Sequence, residues 1–209
     1  PGWNNVPLAG ILRKKLGLPV FIDNDVNLIT MAEWKKGVGK GIANLVCITL
    51  GTGVGGGLVI DNRLYRGENF VAGEIGHNPY LASELEKYVG NKTLHARAAK
   101  IFKKPGIRTQ DVFLKAQSGD RKARQFWYEI GEHIGFVLAG VVNTLNPRRI
   151  IIGGGVANNY KYLAPGIKDT IKKKAIKAAA NVEIVRARLG DDAGIIGATY
   201  LVKDSLLER

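Results

Sequence analysis

The stretch LVCITLGTGVGGGLVI, residues 45–60, holds two apolar runs separated by glycines. Short apolar runs bounded by turn residues are typical of buried strands. The second run continues across Asp61 and Asn62 to Tyr65, and such a polar pair favours the tight turn of a hairpin. We therefore predict neighbouring strands that bracket a glycine-rich loop.

Strand-like and helical patterns alternate on both sides of this stretch. Further strands are predicted at residues 19–22, 149–152 and 182–188, and helices at 26–36, 85–102, 111–117, 121–145, 163–178 and 194–206. Strands that alternate with helices predict an α/β fold with a parallel or mixed sheet at its core.

Length and composition exclude several classes of protein. The 209 residues include 45% apolar and 23% charged side chains, which is typical of a folded globular chain. Apolar runs stay well short of the roughly 20 residues that cross a bilayer, so no membrane association is expected. The single cysteine, Cys47, excludes a disulfide framework and a cysteine zinc cluster, and it favours a cytoplasmic protein. Residues 1–4 lack the pattern of a signal peptide and indicate a cut end.

The chain is basic, with 31 Lys and Arg residues against 18 Asp and Glu and a net charge of +13. Such an excess is compatible with nucleic acid or another polyanion as a partner. Most of it follows residue 80 and is spread over predicted helices, for example at Lys168, Lys172, Lys173, Lys174 and Lys177. No aromatic side chains are interleaved with these lysines to stack on bases, so we expect a solvated face and no nucleic-acid partner.

The glycine-rich loop at residues 51–57 has neither a Walker A nor a Rossmann pattern, because it lacks Gly-Lys-Ser/Thr and no helix follows. Glycines allow positive φ and a close approach of the backbone, so several N–H groups could converge on phosphate oxygens. The Thr52 hydroxyl would be a further donor. A glycine-rich hairpin bend without a ligand is the alternative.

Residues 23–27, Asp-Asn-Asp-Val-Asn, lie where a predicted strand gives way to a helix. Asp and Asn are favoured N-cap residues, so helix capping would account for one of them. Ligands gather at the carboxyl ends of strands in α/β sheets, and a carboxylate there could orient and deprotonate a substrate hydroxyl.

Glu74 and His77 are three residues apart, so on a helical turn both side chains would project to one side. Such paired donors and acceptors suit vicinal sugar hydroxyls, and Glu84 and Glu86 follow closely. A satisfied, partly buried histidine is the alternative for His77. A zinc site is disfavoured because no cysteines follow it.

A triple glycine, Gly153-Gly154-Gly155, follows the strand predicted at 149–152. A glycine turn from strand to helix lets adenine or ribose approach the backbone closely. A tight connection that needs small residues is the alternative.

Taken in this order, the motifs resemble the ROK family of sugar kinases and repressors, within the actin-like and hexokinase-like ATPase superfamily. The resemblance covers nearly the whole chain and rests on the segments LPVFIDNDVN, ITLGTGVGGGLVIDNRLYRG, AGEIGH, LNPRRIIIGGGVA and GDDAGIIGA. It implies an actin-like (ribonuclease H-like) ATPase fold with a mixed sheet flanked by helices. Residues 1–209 would form the large C-terminal lobe, with a helical region at about 85–145.

The resemblance also implies roles for single residues. Asp25 matches the family's catalytic base and Asn24 the adjacent sugar ligand, while the sugar-hydroxyl ligands are Glu74, His77 and Glu86. The implied nucleotide-binding residues are Gly51, Thr52, Gly53, Gly154 and Gly155. The implied reaction is the glucokinase-like phosphorylation of a hexose or N-acetylhexosamine by ATP, with Mg²⁺ accompanying the nucleotide. A homodimer is expected, and no metal bound by the protein.

The sequence departs from the family pattern at three points. It has no Asp-x-Gly-Gly-Thr phosphate loop, so we expect the small N-terminal lobe that carries this loop to be missing from the sequence. In place of the cysteine-containing zinc loop of many members stands the short segment 79–83, either because the loop is naturally short or because residues are missing from the sequence, and no zinc is predicted. The winged helix-turn-helix of the repressor branch is absent too, which favours a kinase over a repressor.

Two alternatives stay open beside the kinase. The chain could be the sugar-sensing domain of a ROK-type transcriptional repressor, which would bind sugar without ATP turnover. It could also be a structural remnant without a competent site, although the intact Asp25, Glu74, His77 and Glu86 argue against this. The resemblance does not name the sugar.

Overall fold

A mixed sheet lies at the centre of the structure, a computed structural model that describes residues 6–207. Among these residues the strands are β1 (Leu45–Leu50), β2 (Val54–Ile60), β3 (Arg63–Tyr65), β4 (Pro79–Tyr80), β5 (Ser83–Glu84), β6 (Arg149–Gly153) and β7 (Glu183–Arg186). Five of them form the central sheet in the order β3-β2-β1-β6-β7, and β4 pairs with β5 in a separate hairpin. The N-terminal residues 1–4, interpreted above as a cut end, lie outside the described residues.

The central sheet is mixed, as predicted, because β1 pairs antiparallel with β2 and parallel with β6. The helices are α1 (Leu8–Leu16), α2 (Asp25–Lys35), α3 (Glu86–Val89), α4 (Asn91–Phe102), α5 (Thr109–Gln117), α6 (Arg121–Leu145), α7 (Tyr160–Lys174) and α8 (Ala193–Leu207). Helices α6 and α7 pack against each other, as do α2 and α8. The predicted α/β architecture is confirmed.

The sequence of strand β1 is apolar except at Thr49, and its place in the sheet explains why. Its side chains alternate between two faces of the sheet, and both faces are covered. Val46, Ile48 and Leu50 pack into the cluster that contains the buried faces of α6 and α7. Leu45 and Cys47 pack on the opposite side, against residues of α2. The sheet is therefore a buried central layer whose strand ends remain available for a site.

The long helix α6 matches the predicted bounds of 121–145. It begins after Asp120, whose side chain accepts a hydrogen bond of 3.1 Å from the amide of Ala123. It ends at Leu145, and the following Asn146 has a φ of 43° and precedes a proline. A Cβ at Gly131 would overlap the carbonyl oxygen of Leu163, so the axes of α6 and α7 approach closely where glycine allows it.

The strand predicted at residues 19–22 is wrong, because this segment is not part of the sheet. A cavity of about 930 Å³ is lined by Phe21 and Ile22 and also by Arg63 and Leu64 of β3. The two segments border the same cavity, and the described central sheet does not include residues 19–22. The carbonyl of Val20 instead accepts a hydrogen bond of 2.9 Å from the guanidinium of Arg13.

The helix predicted at 85–102 is interrupted at Gly90, which has extended backbone between α3 and α4. A Cβ at Gly90 would lie 2.9 Å from the carbonyl oxygen of Thr52, so this break fits against the glycine-rich loop. The strand predicted at 182–188 ends at Arg186, because the amides of Arg188 and Leu189 both bind the carboxylate of Glu33 rather than a neighbouring strand.

The surface agrees with the interpretation of the basic residues as solvated. All the lysines singled out above on and after α7 are exposed: Lys168, Lys172, Lys173, Lys174 and Lys177. No helix within residues 6–207 is both long and apolar enough to span a membrane.

Candidate functional site

A cavity of about 420 Å³ opens at the carboxyl ends of β1 and β6. Most of the predicted site residues line it, namely Asn24, Asp25, Gly51, Thr52, Gly53, Glu74, Glu86 and Gly154. His77 and Gly155 do not line it. His77 lies 3.8 Å from Glu74, which does, and Gly155 follows Gly154, which also does. Larger cavities of about 430, 630 and 930 Å³ also occur within residues 6–207. Of the predicted site residues only Glu74 borders any of these, and it borders the cavity of 630 Å³.

Asp23, just before α2, has a structural role. Its side chain is only 4% exposed and forms an ion pair of 2.6 Å with Arg66, which follows β3. Its Oδ1 accepts hydrogen bonds from the amide of Asn24 at 2.9 Å and from the side chain of Asn27 at 2.8 Å. Through these contacts Asp23 holds the start of α2 against the β2–β3 hairpin.

Asn24 is the N-cap of α2. Its Oδ1 accepts hydrogen bonds from the amides of Val26 at 2.8 Å and Asn27 at 3.3 Å. Helix α2 is therefore capped by an amide side chain and not by a carboxylate. The side-chain NH₂ of Asn24 is left as the group that can donate to a ligand.

Asp25 is the carboxylate of this segment that is free to react. It is exposed, and its Oδ1 accepts a hydrogen bond of 2.9 Å from the amide of Val26. Within residues 6–207 its second oxygen makes no hydrogen bond. The amino-terminal end of α2 favours a negative charge at this position. Asp25 thus presents a carboxylate oxygen to the cavity.

The glycine-rich loop does not make use of the positive φ that glycine allows. None of its glycines between 51 and 57 has a positive φ. Close packing is the reason for several of them. A Cβ at Gly53 would overlap Glu86 Oε2, and a Cβ at Gly57 would overlap the hydroxyl of Thr30 in α2. At these positions the loop packs closely against protein side chains, and its approach to phosphate oxygens stays a prediction.

The tip of the loop is arranged differently from its base. A Cβ at Gly51 would meet no atom within 4 Å, and Thr52 is exposed. The amide of Gly51 donates to the carbonyl of Gly53 at 2.9 Å. Among the described residues, no hydrogen bond engages the amides of Thr52 and Gly53. These two N–H groups and the Thr52 hydroxyl can donate to an anion.

Helices α3 and α4 hold this loop from the opposite side. Glu86, the first residue of α3, accepts a hydrogen bond of 2.9 Å from the amide of Val54. Asn91, the first residue of α4, donates its amide to the carbonyl of Gly51 at 3.0 Å. One carboxylate oxygen of Glu86 is therefore engaged with the protein, and the other can accept from a ligand.

Glu74 and His77 share a tight 3₁₀ turn, Ile75–His77, as their spacing predicts. The two side chains approach to 3.8 Å between Glu74 Oε2 and His77 Nε2. The partner of the other ring nitrogen was not predicted from the sequence. It is Glu84, which lies 3.0 Å from His77 Nδ1 across the β4–β5 hairpin. The hydrogen bond to Glu84 is the main reason that the pKa of His77 is raised above its usual value of 6.5.

The two glycines of the second glycine turn differ. Gly154 has a φ of 80°, and a Cβ there would overlap the carbonyl oxygen of Leu50 at the end of β1. Gly155 is exposed and begins a short 3₁₀ turn, Gly155–Asn159, and a Cβ on it would meet nothing within 4 Å. The backbone at Gly154 needs glycine for two reasons, and its role in binding adenosine stays a prediction.

Neither a metal-binding cluster nor a reactive thiolate occurs among the described residues. Within residues 6–207 no group of three or more His, Cys, Asp or Glu side chains is placed to hold a metal ion. The absence of zinc stays a prediction. Cys47 is buried, and burial raises its pKa to about 12, so it does not supply a thiolate at neutral pH.

A central mixed sheet covered by helices on both faces, with its cavity at the ends of β1 and β6, defines a protein of the actin-like ATPase fold class. Within that class the chain belongs to the ROK family, whose family model matches residues 1–205. The resemblance drawn from the sequence motifs is confirmed.

Relatives carry the names of both branches of this family. The chain is 34% identical to the glucokinase of Halalkalibacterium halodurans, with 97% of this chain and 69% of the relative covered. A ROK family glucokinase from Streptomyces griseus, solved in complex with glucose and AMPPNP, has a TM-score of 0.83 at 29% identity, covering 96% of this chain and 73% of that one. A ROK family transcriptional regulator, a homolog of the E. coli MLC protein, has a TM-score of 0.86 at 26% identity, covering 94% and 55%.

Proposed function

We propose that this protein transfers the γ-phosphoryl group of ATP to a hydroxyl of a hexose or N-acetylhexosamine, in a glucokinase-like reaction with Asp25 as general base. One observation carries the proposal: the uncommitted carboxylate oxygen of Asp25 shares a cavity with the tip of the glycine-rich loop and with Glu74 and Glu86. Acid–base and phosphate-binding groups thus face the same space.

In this reaction the sugar hydroxyl attacks the γ-phosphorus while Asp25 accepts the hydroxyl proton. The new bond joins the sugar oxygen to phosphorus, and the bond to the β-phosphate oxygen breaks to release ADP. The amides of Thr52 and Gly53 and the Thr52 hydroxyl hold the phosphoryl oxygens. Such catalysis depends mainly on positioning and on stabilisation of charge.

The sugar would be held on the other side of the cavity. Asn24 donates from its NH₂ group, because its oxygen is occupied by the helix cap. Glu74 and the unengaged oxygen of Glu86 accept from hydroxyl groups, and His77 binds beside Glu74. Gly154 and Gly155 would border the nucleotide. We also propose that the chain is the large lobe of a two-lobe kinase, with its helical region at about 85–145.

The Streptomyces griseus glucokinase solved in complex with glucose and AMPPNP supports the kinase, since a sugar and an ATP analogue occupy one protein of the same family. A sugar-sensing role without turnover is the second candidate. The observation that favours it is the structural similarity to the transcriptional regulator, with a TM-score of 0.86.

The test is ADP release from Mg-ATP by the full-length protein with a panel of glucose, mannose, N-acetylglucosamine and N-acetylmannosamine. Binding of each sugar is measured in parallel by calorimetry. ADP release that depends on one sugar would establish the kinase. Sugar binding without ADP release would contradict it in favour of the sensor. Neither binding nor turnover would overturn both candidates.

A further inference from the structure

The side chain of His77 is held from one side by the β4–β5 hairpin. Its Nδ1 lies 3.0 Å from Oε2 of Glu84, the last residue of β5. The other oxygen of Glu84 forms an ion pair of 3.3 Å with Lys87. Hydrogen bonds from His77 and then Lys87 hold the pKa of Glu84 below its usual value, so the carboxylate is ionised at neutral pH.

The ionised carboxylate determines which ring nitrogen of His77 carries the proton. A carboxylate without a proton only accepts hydrogen bonds, so Nδ1 must be the donor. Nε2 is then the ring nitrogen that points away from the hairpin, at 3.8 Å from Glu74 Oε2. Glu74 and Glu86 add their negative charges to that of Glu84 and favour the protonated ring.

The hairpin that carries Glu84 is itself anchored to the helical region. Tyr80 of β4 is buried, and its hydroxyl lies 2.7 Å from Nδ1 of His133 in α6. Arg97 of α4 lies 3.0 Å from the other ring nitrogen and 3.3 Å from Glu129. Since arginine only donates, Nε2 of His133 accepts and its Nδ1–H donates to Tyr80.

The anchor restricts where Glu84 can sit. Glu84 pairs with Pro79 in the two-stranded hairpin, directly beside Tyr80. The amide of Leu85 also donates to the carbonyl of Asn78 at 3.2 Å, which ties the end of the hairpin to the turn that bears His77. The distance between Glu84 and His77 is thus supported by backbone on both sides.

We propose that Glu84 is a positioning residue for sugar binding, whose carboxylate holds the Nδ1–H of His77 and turns Nε2 toward Glu74 and the bound sugar. This inference rests on the proposed function, because it takes His77 as a ligand of a sugar hydroxyl. In its protonated form His77 donates from Nε2 to a hydroxyl oxygen, next to the acceptor Glu74.

The orientation is tested first without any sugar. Histidine ¹⁵N resonances of the full-length protein are followed by NMR through a pH titration, with His77→Asn identifying the signal of His77 among three histidines. We expect a proton on Nδ1 and a pKa above 6.5, and we expect Glu84→Ala to return the pKa toward 6.5. An identical titration of His77 in both proteins would overturn the proposal.

The role in binding is tested by a double-mutant cycle with glucose and N-acetylglucosamine as probes. Glu84→Ala should raise the dissociation constant about five- to tenfold, as expected for loss of a charged hydrogen bond that orients a ligand. In the His77→Asn background the same change should have no further effect. Equal effects in both backgrounds, or no effect in either, would overturn the proposal.

Two controls keep the result interpretable. Glu84→Gln retains an acceptor oxygen of the same shape, so its effect should be smaller than that of Glu84→Ala. Lys100→Ala removes a charge at an exposed position of α4 and should leave the dissociation constant unchanged. Failure of the unmutated protein to bind any sugar would overturn the proposed function together with this role, whereas sugar binding with an unchanged His77 titration would overturn the role of Glu84 alone.

Discussion

Oε2 of Glu86 accepts a hydrogen bond of 2.9 Å from the backbone amide of Val54. The same oxygen occupies the space that a Cβ on Gly53 would need. Glu86 is proposed to bind the sugar and Gly53 to bind phosphate, so the two halves of the site share one contact. A change on one side should therefore be felt on the other.

The first prediction concerns Gly53→Ala. The added methyl group displaces the Glu86 carboxylate and leaves the Val54 amide without its partner, so we expect a loss of about 1–2 kcal/mol in the free energy of unfolding. Glucose binding should weaken as well, because Glu86 moves. Urea unfolding and calorimetry measure the two effects.

The matched variant for stability is Gly51→Ala, since a Cβ there meets no atom within 4 Å and the backbone φ is not positive. Its free energy of unfolding should stay within about 0.5 kcal/mol of the unmutated protein. Equal losses in the two variants would show that the Glu86 contact is not the cause.

The second prediction concerns Glu33, a fully buried residue of α2. Its two oxygens accept hydrogen bonds from the amides of Arg188 and Leu189 at 2.7 Å and of Val38 at 3.0 Å. Glu33→Gln replaces one acceptor by a donor that faces an N–H group, and should cost about 2–4 kcal/mol in unfolding free energy.

Glu68→Gln, at an exposed position, is the control for this charge change and should alter stability by less than about 0.5 kcal/mol. Urea denaturation of both variants gives the comparison. If Glu33→Gln were as stable as the control, the buried hydrogen bonds would not be supporting α2 and the residues at its start.

The third prediction concerns the dependence of stability on pH. Burial, and then the charge of Arg97, lower the pKa of His133 below 6.5, so the folded protein binds fewer protons there than the unfolded chain. The unfolding free energy should fall as the pH drops below 6.5. His77 acts in the opposite sense, because its pKa is raised and its contribution is lost as the pH rises through the folded value.

Urea midpoints measured between pH 5 and 8 should therefore change on both sides of about pH 6.5. His133→Gln should flatten the acid side, and His77→Asn the alkaline side. Curves that run parallel for all three proteins would contradict these assignments.

Much of the fold was predictable because its signals are local. Helix α6 has its apolar spacing, its Asp120 cap and its stop at Asn146-Pro147 within one stretch, and its predicted and observed bounds agree. The turn at Asp61 and Asn62 has positive φ at both residues, as the tight hairpin requires.

Signals that depend on distant partners were harder to predict. The apolar run at 19–22 resembles a strand, but membership of a sheet depends on residues far away in sequence, and the described central sheet does not include this run. A run of glycines does not indicate whether each glycine is needed for a positive φ or for close packing. The side chains that explain the close packing here, Thr30 and Glu86, lie far away in sequence.

The same limit applies to the candidate site. The motifs predicted which residues gather at the cavity. The structural role of Asp23, however, depends on its ion pair with Arg66, which follows the second strand of the hairpin. The contact between His77 and Glu84 spans seven residues across a hairpin, a spacing without a standard pattern. Asp25 was identified as the base from resemblance, and this assignment stays a prediction.

The measurement that tests the central claim most directly compares Asp25→Asn with Asp61→Asn, a matched change in an exposed turn. Turnover with Mg-ATP and the preferred sugar is measured beside the dissociation constant for that sugar. We expect Asp25→Asn to bind sugar within about twofold and to lose at least about 100-fold in turnover, the scale of general-base catalysis. Asp61→Asn should keep both values. Turnover by Asp25→Asn at the unmutated rate would contradict the assignment of Asp25 as the catalytic base.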